Sequence, residues 1–273
     1  MRQKGLTGFR AGVFLGLLML IFMLVILSGC ISSPQSAPTT PSVPLTSLLP
    51  DAAAPVEMTV TTTIPATTTT LQLIQKPSGP AEYRLTFKTT WSNLTHPTDF
   101  PENPHFSGLI GATHKPGVRL WKEGELATKG IEAMAEDGVK PPLSLEIDSL
   151  IASGGACTNI SGGGVSPSPG IRTLDFTITP ECTYVSVVSM IAPSPDWFVG
   201  VSDLDLNDNG EWADKIVVEL PPYDAGTDLG PTYTSPDEDA ENPVAIRKID
   251  YEPLLVDGTV APMGTFTFMR LDS

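Results

Sequence analysis

From Ala81 onward the chain is cut into short apolar runs by proline, glycine and aspartate, and that punctuation points to a mainly β fold. Tyr83, Leu85 and Phe87 alternate with Arg84, Thr86 and Lys88, the period of a strand with one face buried. Comparable runs fall at 118–120, 143–151, 171–178, 184–191, 197–206, 216–220, 244–251 and 265–271. So many short strands in one domain predict an antiparallel β-sandwich. At about 190 residues the domain is long enough for a single core. One short helix is expected at Thr128–Asp137, where Ile131, Met134 and Ala135 share a face and Gly138 ends the run. Ser153 to Gly170, rich in Gly, Ser and Pro, reads as a long, mobile loop insertion.

The N-terminus sets the compartment. Arg2, Lys4 and Arg10 form a basic region around the start of an apolar run from Ala11 to Leu27. Leu27-Ser28-Gly29-Cys30 has the form of a lipobox: residues 1–29 are a signal peptide, and Cys30 becomes the lipidated first residue of the mature chain. The rival is an uncleaved signal anchor, since 17 apolar residues just suffice to span a bilayer. Either reading leaves the basic residues inside and displays the rest on the extracytoplasmic face of the membrane. Residues 30–80 are lipidated Cys30 plus a Ser/Thr/Pro-rich stalk. Its runs SSPQSAPTTPSVPLTS and TVTTTIPATTTT have no apolar face to offset ordering entropy, so they predict a disordered spacer open to O-glycosylation. The domain itself occupies 81–273.

Cysteine and charge agree with an exterior location. Cys157 and Cys182 are a disulfide candidate there, closing a loop of about 25 residues and stabilising by roughly 3 kcal/mol; two unpaired buried thiols are the alternative. No CxxC spacing exists to support zinc or thioredoxin-type chemistry. Beyond the signal the chain carries 13 Lys and Arg against 31 Asp and Glu, a net charge of −18. Such a surface repels phosphate backbones and argues against nucleic-acid binding.

Two loops carry the chemistry. Pro193-Ser194-Pro195-Asp196-Trp197 and Pro222-Tyr223-Asp224-Ala225-Gly226-Thr227-Asp228 each put carboxylates in a constrained loop beside a strand. At one end of a sandwich, Asp196, Asp224 and Asp228 would point at one spot, where like charges repel unless a cation sits among them. A hard cation such as Ca2+ accepts a shell of carboxylate, carbonyl and water oxygens. The plainer reading is that aspartate and glycine simply build turns.

The same blocks resemble the spondin domain, the N-terminal domain of F-spondin and mindin. The resemblance runs from Tyr83-Arg84-Leu85-Thr86-Phe87, through Trp91-Ser92, His96-Pro97 and the Phe106–His114 block, to Leu120-Trp121. It continues through the Pro193–Gly200 block, Asp203-Leu204-Asp205-Leu206 and Trp212 to Pro222–Gly230 and Thr232–Pro236. It implies a C2-like antiparallel β-sandwich with bound calcium, used in animals for adhesion to matrix and cell-surface receptors. It places the metal-binding aspartates on Asp196, Asp224 and Asp228. Asn207 stands where animal members have a cysteine, so their disulfide pattern does not carry over.

Other constellations are weaker. Asp205-x-Asn207-x-Asn209-Gly210 begins like an EF-hand loop, but its twelfth position is Ile216 instead of a bidentate Glu, so a hairpin turn accounts for it. Asp237, Glu238, Asp239 and Glu241 read as a solvated loop or a second, weaker cation site. His96, His105 and His114 form no HExxH motif, and His96 and His114 are read as loop anchors. Trp197 adjoins Asp196 and is read as a wall of the site. No nucleophile elbow, Walker loop or dinucleotide fingerprint is present. Asn93 and Asn159 have the form of glycosylation acceptors, Asn159 favoured because it falls in the predicted loop.

The sequence therefore reads as a prokaryotic cell-surface lipoprotein held to the membrane by its N-terminal lipid. It displays a calcium-binding, non-catalytic module for adhesion to an extracellular protein or glycan ligand. The alternatives are a secreted carbohydrate-binding or hydrolytic module, with Asp196 and Asp224 or Asp228 as a carboxylate pair, and a structural envelope component.

Overall fold

The computed structural model describes residues 75–272. The predicted signal peptide, Cys30 and the predicted spacer up to residue 74 lie outside the described residues. The domain begins with β1 (Ala81–Thr89), whose alternation is realised in full: Tyr83, Leu85 and Phe87 are fully buried while Arg84 and Lys88 face solvent. Next come β2 (His105–Phe106), β3 (Ile110–His114), helices α1 (Lys129–Asp137) and α2 (Leu143–Ala152), and strands β4 (Ala156–Ser161), β5 (Ile171–Ile178), β6 (Tyr184–Ala192) and β7 (Trp197–Asp205). The chain ends with β8 (Asn207–Asp208), β9 (Glu211–Trp212), β10 (Lys215–Glu219), β11 (Tyr223–Asp224), β12 (Arg247–Lys248) and β13 (Gly264–Arg270).

Two antiparallel sheets form a sandwich. One has the order β10-β13-β1-β5; the other runs β12-β11-β7-β6-β3-β4, with β2 extending the pairing of β6. Between them Tyr83, Leu85, Phe87, Phe266 and Phe268 pack against Val185, Val187, Val199 and Val201. The outer face of the second sheet is covered too. Ile110, Ala112, Val188 and Phe198 pack there against Ile131, Met134, Leu143 and Ile147 of the helices. Covered on both faces, β6 is buried from Val185 to Ala192, and a strand so placed is apolar in near-continuous runs.

Helix α1 forms where its pattern predicts. The Thr128 hydroxyl caps its start by accepting from the Ile131 N–H at 3.1 Å, and Gly138 closes it at φ 66°. Glu146 of α2 ties the two helices together, accepting from the Gly130 N–H and the Thr128 hydroxyl, each at 2.7 Å.

Several expectations need correction. Leu143–Ile151 is a helix, so the domain has two helices. Leu143, Leu145 and Ile147 mimic a strand's alternation, but Leu145 is 61% exposed while Leu143 and Ile147 are buried at i, i+4. Ser153–Gly170 is not a bare loop, because it contains β4, which pairs with β3. Residues 118–120 form no strand, and 244–251 contributes only the two residues of β12. Asn207 to Trp212 is the expected hairpin, with Asn209 at φ 55° and Gly210 at φ 98°, the left-handed pair of a type I′ turn. Cys157 on β4 and Cys182, just ahead of β6, form a disulfide with a Cα–Cα distance of 6.1 Å.

Candidate metal centre

The β6–β7 connection, β11 and the end of α1 meet at one end of the sandwich. Asp196 stands immediately before β7, and Asp224 pairs with Trp197 across the β7–β11 ladder. The Ala225 N–H donates to the Asp196 carbonyl at 3.1 Å, folding the second loop over the first. Gly226 makes that turn possible. Its φ is 76°, and a Cβ there would lie 2.3 Å from the Val244 carbonyl oxygen.

The three aspartates share this end, all buried or nearly so, with Asp196 at 1% exposure. Asp196 Oδ2 accepts from the backbone N–H groups of Thr227 at 2.7 Å and Asp228 at 3.2 Å, and from the Thr227 hydroxyl at 3.3 Å. Its Oδ1 is buried with no hydrogen-bond partner. Asp224 Oδ1 accepts from the Gly226 N–H at 2.7 Å, while Oδ2 faces Arg247 and Tyr251. Asp228 accepts from the N–H groups of Gly230 at 2.6 Å and Glu238 at 2.9 Å. Most of the carboxylate oxygens are thus committed to backbone and side-chain donors. Among the described residues, no three His, Cys, Asp or Glu side chains stand grouped as a preformed metal site.

A fourth carboxylate, missed in the sequence, completes the picture. Glu136 in the last turn of α1 lies beside Thr227, and its Oε1 is likewise buried without a partner. No basic residue lies in that turn, so Glu136 sits unrelieved at the negative end of the helix. Burial above all, then the charges of Glu132, Asp239 and Asp196, pushes its carboxyl up to about 7. Burial and the neighbouring Asp224 push Asp196 up to about 6, against the pull of its two backbone donors. A surplus acid at a helix C-terminus is the signal that marks Glu136 in the sequence.

Residues 81–254 match the sequence model of the family described as Spondin_N. The chain belongs to the Spondin_N family. This spondin domain is 38% identical to Spondin-1 of Gallus gallus over 169 residues, covering 59% of this chain and 21% of that protein. It is 32% identical to Spondin-2 of Rattus norvegicus over 200 residues, 71% of this chain and 58% of that protein. Against Spondin-2 of Homo sapiens the identity is 35% over 163 residues, 57% of this chain and 48% of the relative. The match thus spans about a fifth of Spondin-1 and about half of Spondin-2.

The remaining sites of the spondin domain fall as follows. Trp197 points into the inter-sheet core, against Tyr233 and Tyr251 at 5.3 and 6.3 Å, and does not wall the aspartates. His96 is buried, its ring bridging Thr95 Oγ1 at 3.0 Å and the Ala261 carbonyl at 3.2 Å. His114 Nε2 meets Ser186 Oγ at 2.9 Å, but both residues are fully buried inside the sheet, so this serine–histidine pair is packing and has no route to a substrate. Asp237, Glu238 and Asp239 are exposed. Asn93 lies in an exposed turn, whereas Asn159 is on β4 and not in a loop, its amide 3.4 Å from Asp148. No helix among the described residues is long and apolar enough to cross a membrane. Cys30 lies outside them.

Proposed function

We propose that this chain is a lipid-anchored surface protein whose spondin domain binds one calcium ion and acts as a non-catalytic adhesion module. The observation that carries the reading is the pair of buried, unpartnered oxygens, Asp196 Oδ1 and Glu136 Oε1, at an end where four carboxylates gather. Buried oxygens without donors are costly, and a cation that takes only oxygen ligands relieves both at once. Asp196, Asp224, Asp228 and Glu136 are the side chains that would hold it. When bound, calcium supplies positive charge and fixes the loops to one another.

The rest of the reading follows from placement. The loops carrying these residues form one end of a rigid sandwich, where a binding surface can be held in a single shape. Adhesion rests on the spondin resemblance, and anchoring on the lipobox at Cys30, which holds the domain outside the cell on its spacer. The partner on this reading is an extracellular protein.

Calorimetric calcium titration of the wild type beside Asp224→Asn and Asp228→Asn tests the metal. One saturable site, lost in the variants and accompanied by a higher melting temperature, is the expected result. A folded, metal-stripped protein showing neither heat nor thermal shift would sink the calcium reading.

A further inference from the structure

Asp224 already has a cation beside it. Arg247 stands opposite in the β11–β12 pair, with Nη2 2.8 Å and Nε 3.2 Å from Asp224 Oδ2. The Tyr251 hydroxyl donates to the same oxygen at 2.6 Å, and the guanidinium lies over the Tyr251 ring, 5.5 Å from its centroid. The two partners differ in burial: the Asp224 side chain is 6% exposed and that of Arg247 59%. Beside them opens a cavity of about 260 Å³, lined by Asp224, Asp228, Arg247 and Tyr251 and by the apolar Leu229 and Val244. Leu229 and Val244 are 60% and 52% exposed, and neither serves the core.

We propose that Arg247 is a displaceable counter-ion that neutralises Asp224 in the metal-free domain, and that calcium frees its guanidinium to receive an acidic side chain of a protein partner in this cavity. The inference rests on the calcium reading. Asp224 Oδ2 is saturated by three donors and Oδ1 accepts from Gly226. A metal therefore gains full use of this carboxylate only by dislodging a donor. Arg247 is the one that moves most readily, because its own side chain is 59% exposed and can return to water while Asp224 stays buried, and a divalent cation repels the guanidinium at this range. Once released, a planar fork beside Leu229 and Val244, with Asp224 and Asp228 neutralised by the metal, suits a single carboxylate on an aliphatic stem. A polyanion such as a sulfated glycan is disfavoured, because the exposed Asp237, Glu238 and Asp239 follow on the same loop.

The test is calcium calorimetry on the full-length chain in detergent, comparing wild type, Arg247→Lys and Arg247→Gln. The three are then titrated with the capped tripeptide Ac-Ala-Glu-Ala-NH2, with and without calcium, the Gln tripeptide serving as control. Arg247→Gln is expected to bind calcium about five-fold more tightly than wild type, with Arg247→Lys between them. The Glu tripeptide should bind calcium-loaded wild type, lose binding in Arg247→Gln, and leave the metal-free protein untouched. Unchanged or weaker calcium binding by Arg247→Gln overturns the proposal, since Arg247 would then be orienting Asp224. Equal peptide binding with and without calcium overturns it as well, and a sulfated disaccharide that outcompetes the peptide overturns the partner class. A wild type that takes up no calcium removes the calcium reading itself, and this inference with it.

Discussion

The Thr227 hydroxyl donates to Asp196 Oδ2 at 3.3 Å with Glu136 alongside, and each acid keeps one carboxylate oxygen buried with no hydrogen-bond partner. The helix and the β6–β7 connection thus bring two acids together where neither gains from being charged. Backbone donors hold Asp196 in place from one side only, through Oδ2. Such strain persists at sites where a ligand relieves it.

Asp196→Asn should therefore stabilise the protein in a chelator while abolishing its response to calcium. The amide oxygen still accepts from Thr227 and Asp228, and its NH2 replaces the orphaned oxygen with a donor facing carboxylates. A gain of about 1–2 kcal/mol at pH 8 is expected. Thermal melts with chelator and with calcium check it: wild type should respond to calcium and the variant should not. A variant less stable than wild type in chelator would show that Asp196 is content as a carboxylate.

The pH dependence follows from the same two groups. Both folded carboxyls are raised, to about 6 for Asp196 and about 7 for Glu136, above their ordinary values near 4. The folded state then binds more protons than the unfolded state, and this contribution to stability, present below pH 4, is lost as pH rises to 7. His96 and His114 oppose it. Burial lowers both, so their contribution is present above about 6.5 and is lost as pH falls below that value. A difference measurement isolates the carboxylates. In chelator, the stability gained by the Asp196→Asn/Glu136→Gln double variant over wild type should grow between pH 4.5 and 8. A gap independent of pH would rule out the raised carboxyls.

The disulfide fixes an edge. Cys157 holds β4, the outermost strand of its sheet, to Cys182 in the β5–β6 connection, 25 residues on. Replacing both with serine should destabilise the domain by roughly 3 kcal/mol, read as a lower urea midpoint. Calcium affinity should hold, since Asp196 lies at the β6–β7 connection, the other end of β6 from Cys182, and Asp224 pairs beside it on β11.

The sequence shows these elements unevenly, for physical reasons. β1 faces core on one side and solvent on the other, so Tyr83, Leu85 and Phe87 declare it at once. Helix α2 is disguised because Leu143, Leu145 and Ile147 alternate by chance, and only burial reveals Leu145 as an outsider. β4 is hidden by small and polar residues, Ala156 to Ser161, which suffice for an edge strand paired on one side. Asp196, Asp224 and Asp228 are legible because constrained loops advertise them. Glu136 and Arg247 are not, since folding alone brings a helix end and a two-residue strand to those loops.

The anchor gives a cellular test. Cys30→Ser removes the thiol that the lipobox reading acylates. The protein should lose its lipid, seen as a mass loss after tryptic digestion, and the unprocessed signal should remain attached. An unchanged mass and unchanged processing would favour the signal anchor.

Two glycines separate backbone strain from steric closure. Gly226 and Gly258 both have φ 76°, but a Cβ at Gly258 meets nothing within 4 Å, whereas at Gly226 it lies 2.3 Å from the Val244 carbonyl oxygen. Gly258→Ala should cost only the left-handed penalty, about 1 kcal/mol. Gly226→Ala adds a backbone collision that no side-chain rotation relieves, for a total of roughly 3 kcal/mol or more. It also shifts Thr227 and Asp228, whose N–H groups hold Asp196 Oδ2. Gly226→Ala should therefore weaken calcium binding as well as folding, while Gly258→Ala leaves the metal affinity of wild type. Paired melts and calcium titrations read both effects, and equal losses in the two variants would remove Gly226 from any role in shaping the site.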